Sequence, residues 1–222
     1  MRCPWLTIVF SLSLMCASAA ESPAPAGIGS GFAIHPDGWV LTAAHVVGGC
    51  PRINIVGSGT AQEVAADRKL DIALLKVSQP VTHWLAFNAD AERGDPVRVS
   101  RLQAAGTEWQ RAMAISAIVT ATRRHDGDRR YLQFDASLRA GESGAPVVDV
   151  DGDVVGLVVA RLTPGAAYRL TGNPRQAVAY AVDADALLEF VSPWVALSEV
   201  ATQSVNSARI GHGQVVVECW YE

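Results

Sequence analysis

Beyond its first residues the sequence has no apolar run long enough to cross a bilayer, aromatic residues make up only 7%, and 222 residues contain just four cysteines. His35, His83, His125 and His212 stand at no metal-ligand spacing from cysteines or carboxylates, so neither a metal nor a cofactor is expected. Charge is sparse as well: Asp, Glu, Lys and Arg together supply 18%, with a net charge of −4. Arg123, Arg124, Arg129 and Arg130 do cluster, but Asp126, Gly127 and Asp128 interrupt them and no aromatic stacking platform accompanies them. That pattern is a solvated hairpin tip rather than a nucleic-acid surface. No repeat of fixed period and no low-complexity tract occurs, which excludes a solenoid. Half of the residues are hydrophobic, enough for a substantial core and too many for a disordered chain.

The start of the chain reads as an export signal. Arg2 supplies positive charge, residues 5–15 are largely apolar, and Ala17-Ser18-Ala19 offers small residues for cleavage. Residues 1–20 are therefore expected to be removed, leaving an exported protein, periplasmic or secreted, with no stable membrane insertion. Cys50 and Cys219 are the cysteines that survive such processing. An oxidising compartment permits one intramolecular pairing between them, and two unpaired thiols are the other reading.

From residue 28 onward, short apolar runs alternate with Gly, Asp, Asn and Pro. The runs 31–35, 39–43, 52–56, 72–77, 97–102, 113–121, 131–135, 145–150, 154–161 and 177–183 each read as a strand, and together they indicate an all-β barrel or sandwich. Pro36-Asp37-Gly38 and Asp151-Gly152-Asp153 are hairpin turns. One helix is expected after Asp183, a plausible N-cap, ending before Pro193. A polar stretch at 88–95 divides the strands into two comparable halves.

Three signatures carry chemistry, in the order His, Asp, Ser. Leu41-Thr42-Ala43-Ala44-His45 ends an apolar strand in small residues that let the backbone turn beside an imidazole. Asp71 opens the apolar strand Ile72-Ala73-Leu74-Leu75, where a carboxylate needs a hydrogen-bonding partner and an imidazole N–H is a suitable one. Gly141-Glu142-Ser143-Gly144 places a serine between glycines. Serine is a weak nucleophile that requires a neighbouring base and donors for the oxyanion, and flanking glycines allow close backbone approach. Any one of these signatures is ordinary; their conjunction points to a nucleophilic serine.

These motifs, with Gly29-Ser30-Gly31-Phe32 and Asp71-Ile72-Ala73-Leu74-Leu75-Lys76, resemble the trypsin/chymotrypsin clan, and most of all the protease domain of the HtrA/Deg family. The resemblance covers residues 27–192. It implies two packed six-stranded antiparallel β-barrels, chymotrypsin-like, with a short C-terminal helix and tail: an N-terminal barrel over 21–88, a C-terminal barrel over 89–194 and a tail over 195–222. It implies a serine endopeptidase acting on polypeptides, with His45 as general base, Asp71 as its orienting carboxylate, Ser143 as nucleophile, and the N–H groups of Gly141 and Ser143 as oxyanion hole. Ser137 falls at the base of the substrate pocket, with Val158, Val159, Ala160 and Arg161 as a wall. Lacking a carboxylate at Ser137, that pocket suits a small or medium apolar side chain. Glu142 departs from the family, where Asn or Asp is usual, and trypsin-type Asp pairs with a newly cleaved amino terminus that has no counterpart here. The residues after Pro193 are too few for a PDZ domain, and 214–220 is a strand-like run expected at a barrel edge. A catalytically weak, peptide-binding or chaperone-like protein is the alternative function.

Overall fold

Alternation along each strand determines which side chains face inward, and closure of the sheets then sorts them into separate cores. The computed structural model describes residues 24–88, 91–105, 108–111, 114–122, 130–161, 164–173, 177–196 and 213–221. The signal-like segment 1–20, most of the arginine cluster, and His125 and His212 lie outside these residues.

Strands β1 (Gly27–His35), β2 (Trp39–Ala43), β3 (Arg52–Ile55), β4 (Gly59–Asp67) and β5 (Ile72–Val77) join the late strand β14 (Gln214–Trp220) in one closed antiparallel barrel, in the order β1-β14-β3-β4-β5-β2. The second closed barrel has the order β10-β13-β12-β11-β6-β9, built from β6 (Pro96–Val99), β9 (Ile115–Ala121), β10 (Tyr131–Phe134), β11 (Pro146–Val148), β12 (Val154–Arg161) and β13 (Ala179–Asp183). A separate hairpin joins β7 (Leu102–Ala105) to β8 (Glu108–Arg111). This is the pair of six-stranded barrels that the resemblance implies.

Burial follows the pleat. Ala33, Val40, Ala73, Leu75 and Val217 fill the first barrel, while Phe32, Ile34, Leu41, Ile72 and Leu74, on the opposite faces of the same strands, pack with Leu157, Tyr180, Val182 and Leu187 between the barrels. Phe134, Val147, Val155 and Val158 belong to a third cluster, the interior of the second barrel. Strand β12 is covered on both faces, which is why it reads as a continuous apolar run rather than an alternating one.

The first barrel draws on both ends of the chain. Its sixth strand comes from 214–220 and not from within 21–88: β14 lies between β1 and β3, with Phe32 opposite Gln214, Gly27 opposite Cys219 and Val217 opposite Ile55. A strand in the barrel wall removes an open edge, and the β-branched Val215, Val216 and Val217 suit that position. Cys219 thereby meets Cys50, and the two form a disulfide with a Cα–Cα distance of 5.6 Å.

Helix α3 (Ala184–Val191) begins where the sequence indicates, with Asp183 Oδ1 accepting the Ala186 N–H at 2.9 Å. Two further helices, α1 (Ala44–Val47) and α2 (Pro164–Thr171), are too short to be read from periodicity. No helix among the described residues is long and apolar enough to cross a membrane.

Candidate active site

His45 lies on the one-turn helix α1, directly after β2, and Asp71 precedes β5. Strands β2 and β5 are neighbours in register, with Ala43 opposite Ile72, so the sheet itself brings the two residues together. Asp71 then grips the helix at three points: its carbonyl accepts the Ala44 N–H at 3.0 Å, Oδ1 accepts the His45 backbone N–H at 2.8 Å, and Oδ2 lies 2.5 Å from His45 Nδ1. To do so Asp71 takes a φ of +62°, the one left-handed non-glycine among the described residues. Such a conformation costs about 1–2 kcal/mol, and aspartate tolerates it better than most residues. The hydrogen bond to Asp71 raises the His45 pKa above 6.5; partial burial opposes it, and the charge of Asp71 adds to the rise. With Nδ1 committed to the carboxylate, Nε2 is the nitrogen left for proton transfer.

Ser143 sits on the loop that leads into β11, and that loop is pressed against the first barrel. The Ser30 N–H donates to the Ser143 carbonyl at 2.8 Å, the Ser30 hydroxyl donates to the Gly141 carbonyl at 2.8 Å, and the Thr42 hydroxyl donates to the Ser30 carbonyl at 2.7 Å. Gly144, at φ +85°, fits where no other residue can. A Cβ there would lie 2.0 Å from the Ser30 carbonyl oxygen and 2.9 Å from the Ala43 nitrogen. The loop carrying Ser143 thus touches the residue that precedes the His45 helix. On its other side, the Gly144 N–H donates to the Val158 carbonyl at 2.7 Å.

Glu142, the departure noted in the sequence, is only 3% exposed. Its Oε1 pairs with Arg101 Nε, and its Oε2 accepts the Arg139 N–H at 2.6 Å. Arg101 Nη2 also donates to the Ser137 carbonyl at 3.2 Å. Sequence reasoning missed Arg101, which has no motif around it, and Gln214, whose buried Nε2 donates to the Ser100 carbonyl at 3.0 Å and lies 3.5 Å from the Ser30 hydroxyl.

Of the expected pocket residues, Ser137 is exposed, Ala160 half-buried and Arg161 exposed. The side chains of Val158 and Val159 are buried in two different cores. A register shift in the β12–β13 pairing between Val158 and Ala160 accompanies that split. Among the described residues no cluster of His, Cys, Asp or Glu is arranged to hold a metal ion.

Two closed barrels whose interface carries a histidine–aspartate pair beside a glycine-flanked serine define the architecture of chymotrypsin-like proteases. The sequence profile of the trypsin-like peptidase domain matches residues 29–157, and the chain belongs to that family. The chain is 31% identical over 205 residues to the uncharacterized protein y4bJ of Sinorhizobium fredii, covering 87% of this chain and 32% of that protein. It is 31% identical over 165 residues to human serine protease HTRA4, covering 67% of this chain and 33% of that protein. It therefore spans about a third of the length of the curated relatives it matches. Among solved structures, the HtrA-type protease AlgW with tripeptide superposes with a TM-score of 0.61 at 22% identity, covering 78% of this chain and 57% of AlgW. AlgW with decapeptide gives 0.59, also at 22% identity, covering 74% and 50%. These two share the fold.

Proposed function

We propose that the chain is an exported serine endopeptidase that hydrolyses peptide bonds through His45, Asp71 and Ser143. The observation that carries this reading is the Asp71 carboxylate holding both the backbone N–H and Nδ1 of His45, beside a loop that presents Ser143 from the second barrel. His45 Nε2 takes the Ser143 Oγ proton as Oγ bonds to the scissile carbonyl carbon, and Asp71 stabilises the imidazolium that forms. The N–H groups of Gly141 and Ser143 receive the developing oxyanion. His45 then returns the proton to the leaving amine, and water, activated by the same base, releases the acyl group from Ser143. Polypeptides are the proposed substrates. With no carboxylate at Ser137, small or medium apolar side chains are the proposed preference.

Labelling with a serine-directed fluorophosphonate tests the reading. Wild-type protein should label and cleave casein, and Ser143→Ala should lose both, with kcat falling by about 10⁶-fold, while keeping its melting temperature. Because triad members act as a unit, adding His45→Ala should cost hardly more. Substantial casein cleavage by folded Ser143→Ala would overturn the assignment. Cleavage and labelling both absent from the wild type would favour a peptide-binding role.

A further inference from the structure

We propose that Glu142 and Arg101 are positioning residues whose buried ion pair sets the oxyanion loop in working geometry without any newly generated amino terminus. The inference rests on the reading of Ser143 as nucleophile, and it extends that reading to what holds the hole open. Glu142 lies between Gly141 and Ser143, the two residues whose N–H groups would face the oxyanion. Its carboxylate is spent on two partners. One oxygen accepts the N–H of Arg139 at 2.6 Å, closing the loop on itself; the other pairs with Arg101, just beyond the end of β6. Strand β6 is in turn the neighbour of β11, with Val99 opposite Val147, so Arg101 is fixed relative to the strand that the loop enters. The same guanidinium reaches the Ser137 carbonyl at 3.2 Å, tying the preceding segment to the same point. From the opposite side, the Ser30 hydroxyl holds the Gly141 carbonyl at 2.8 Å. Gly141, at φ +90° with nothing near its missing Cβ, has no packing of its own to fix its peptide. Its orientation therefore depends on these tethers.

A carboxylate 3% exposed cannot be left unpaired cheaply, so the pair acts as a unit: loss of either member frees or repels the loop. The Glu142 side chain reaches both the Arg139 N–H and the guanidinium of Arg101 beyond the end of β6.

The test compares Glu142→Gln, Arg101→Gln and Arg101→Lys with the wild type by thermal melting, by kcat and KM on a peptide substrate, and by amide hydrogen exchange over 139–145. Misplacing one oxyanion donor lowers kcat by about 10²–10³-fold. Glu142→Gln and Arg101→Gln should each lower kcat by about 10²-fold with KM changed less than about threefold. They should also speed exchange in 139–145 while barrel amides stay protected. Arg101→Lys, which keeps the charge, should recover most of the loss. Folded glutamine variants with kcat within twofold, a loss that falls on KM, a lysine variant no better than glutamine, or unchanged exchange would each overturn the proposal. Failure of all three to fold would assign the pair to stability alone and also overturn it. The exchange measurement needs no turnover. A wild type that fails to acylate would therefore count against the protease reading while 139–145 still reports on the tether.

Discussion

Removing the Cys50–Cys219 disulfide should lower the melting temperature substantially while leaving activity intact below the transition. The bond joins residues 169 positions apart, and constraining a loop of that length in the unfolded chain contributes roughly 5 kcal/mol as an upper guide. In a domain of this size each 1 kcal/mol moves the melting temperature by about 2–4 °C. The upper expectation is therefore a fall of about 10–20 °C. Cys219 is buried, so the informative variant replaces both residues, Cys50→Ala with Cys219→Ala, and avoids a lone interior thiol. A strand hung on one edge would come away once the bond was cut. Strand β14 is instead paired along both sides, from Gly27 opposite Cys219 to Phe32 opposite Gln214 and from Ile55 opposite Val217 to Arg52 opposite Trp220. Those ladders should keep it seated, and with it Gln214 beside Ser30. Melting followed by circular dichroism, alongside fluorophosphonate labelling at each temperature, decides the matter. A shift below about 3 °C, or alkylation of both thiols in native unreduced protein, would refute the loop-constraint reasoning. Loss of labelling well before the melt would refute the seating of β14.

On the proposed mechanism the activity of the wild type should rise with pH through an apparent pKa above 6.5, because a base at His45 must be neutral and the hydrogen bond to Asp71 favours its protonated form. In Asp71→Asn that limb should move to lower pH and the plateau of kcat should fall by about 10⁴-fold, as read from a pH profile of kcat/KM. The same raised pKa means that the His45–Asp71 contribution to stability is full below pH 6.5 and fades as pH rises through the folded-state value, so Asp71→Asn should narrow the difference in melting temperature between pH 6 and pH 9. Gly144→Ala should cost about 2–5 kcal/mol, combining a left-handed φ (about 1–2) with overpacking against backbone (about 1–3), and should abolish labelling. A variant that melts within 2 °C of wild type would show that the loop does not need that close approach.

Much of the site could be read in the sequence because its members sit in local patterns that physics constrains. His45 follows a strand that must end in small residues, Asp71 opens a strand too apolar to tolerate an unpartnered carboxylate, and Gly144 occupies a position with no room for a Cβ. What stayed hidden depends on tertiary placement. Arg101 and Gln214 act at a distance in sequence from the loop they support, and nothing adjacent to them marks that role. Strand β4 escaped notice because Ala61 is its one buried residue, with Gln62 and Glu63 exposed, so it lacks an apolar alternation. The burial of Val158 and Val159 in separate cores was equally hidden: adjacent strand residues face opposite sides, and only the tertiary packing shows that β12 is covered on both.

The placement of β14 also bears on how the molecule is made. A chain leaving the ribosome at about 5–20 residues per second exposes Cys50 some 8–34 s before Cys219, and over that interval β1 and β3 have no partner between them. The second barrel, with Ser143, can form its ladders while the barrel that bears His45 and Asp71 still has an open seam. An unpaired edge invites association with other chains, so a chaperone that shields β1 during emergence should raise the yield of native protein. The interval also bears on function: the proposed mechanism draws on both barrels, and a half-made chain would carry Ser143 without a settled His45–Asp71 pair.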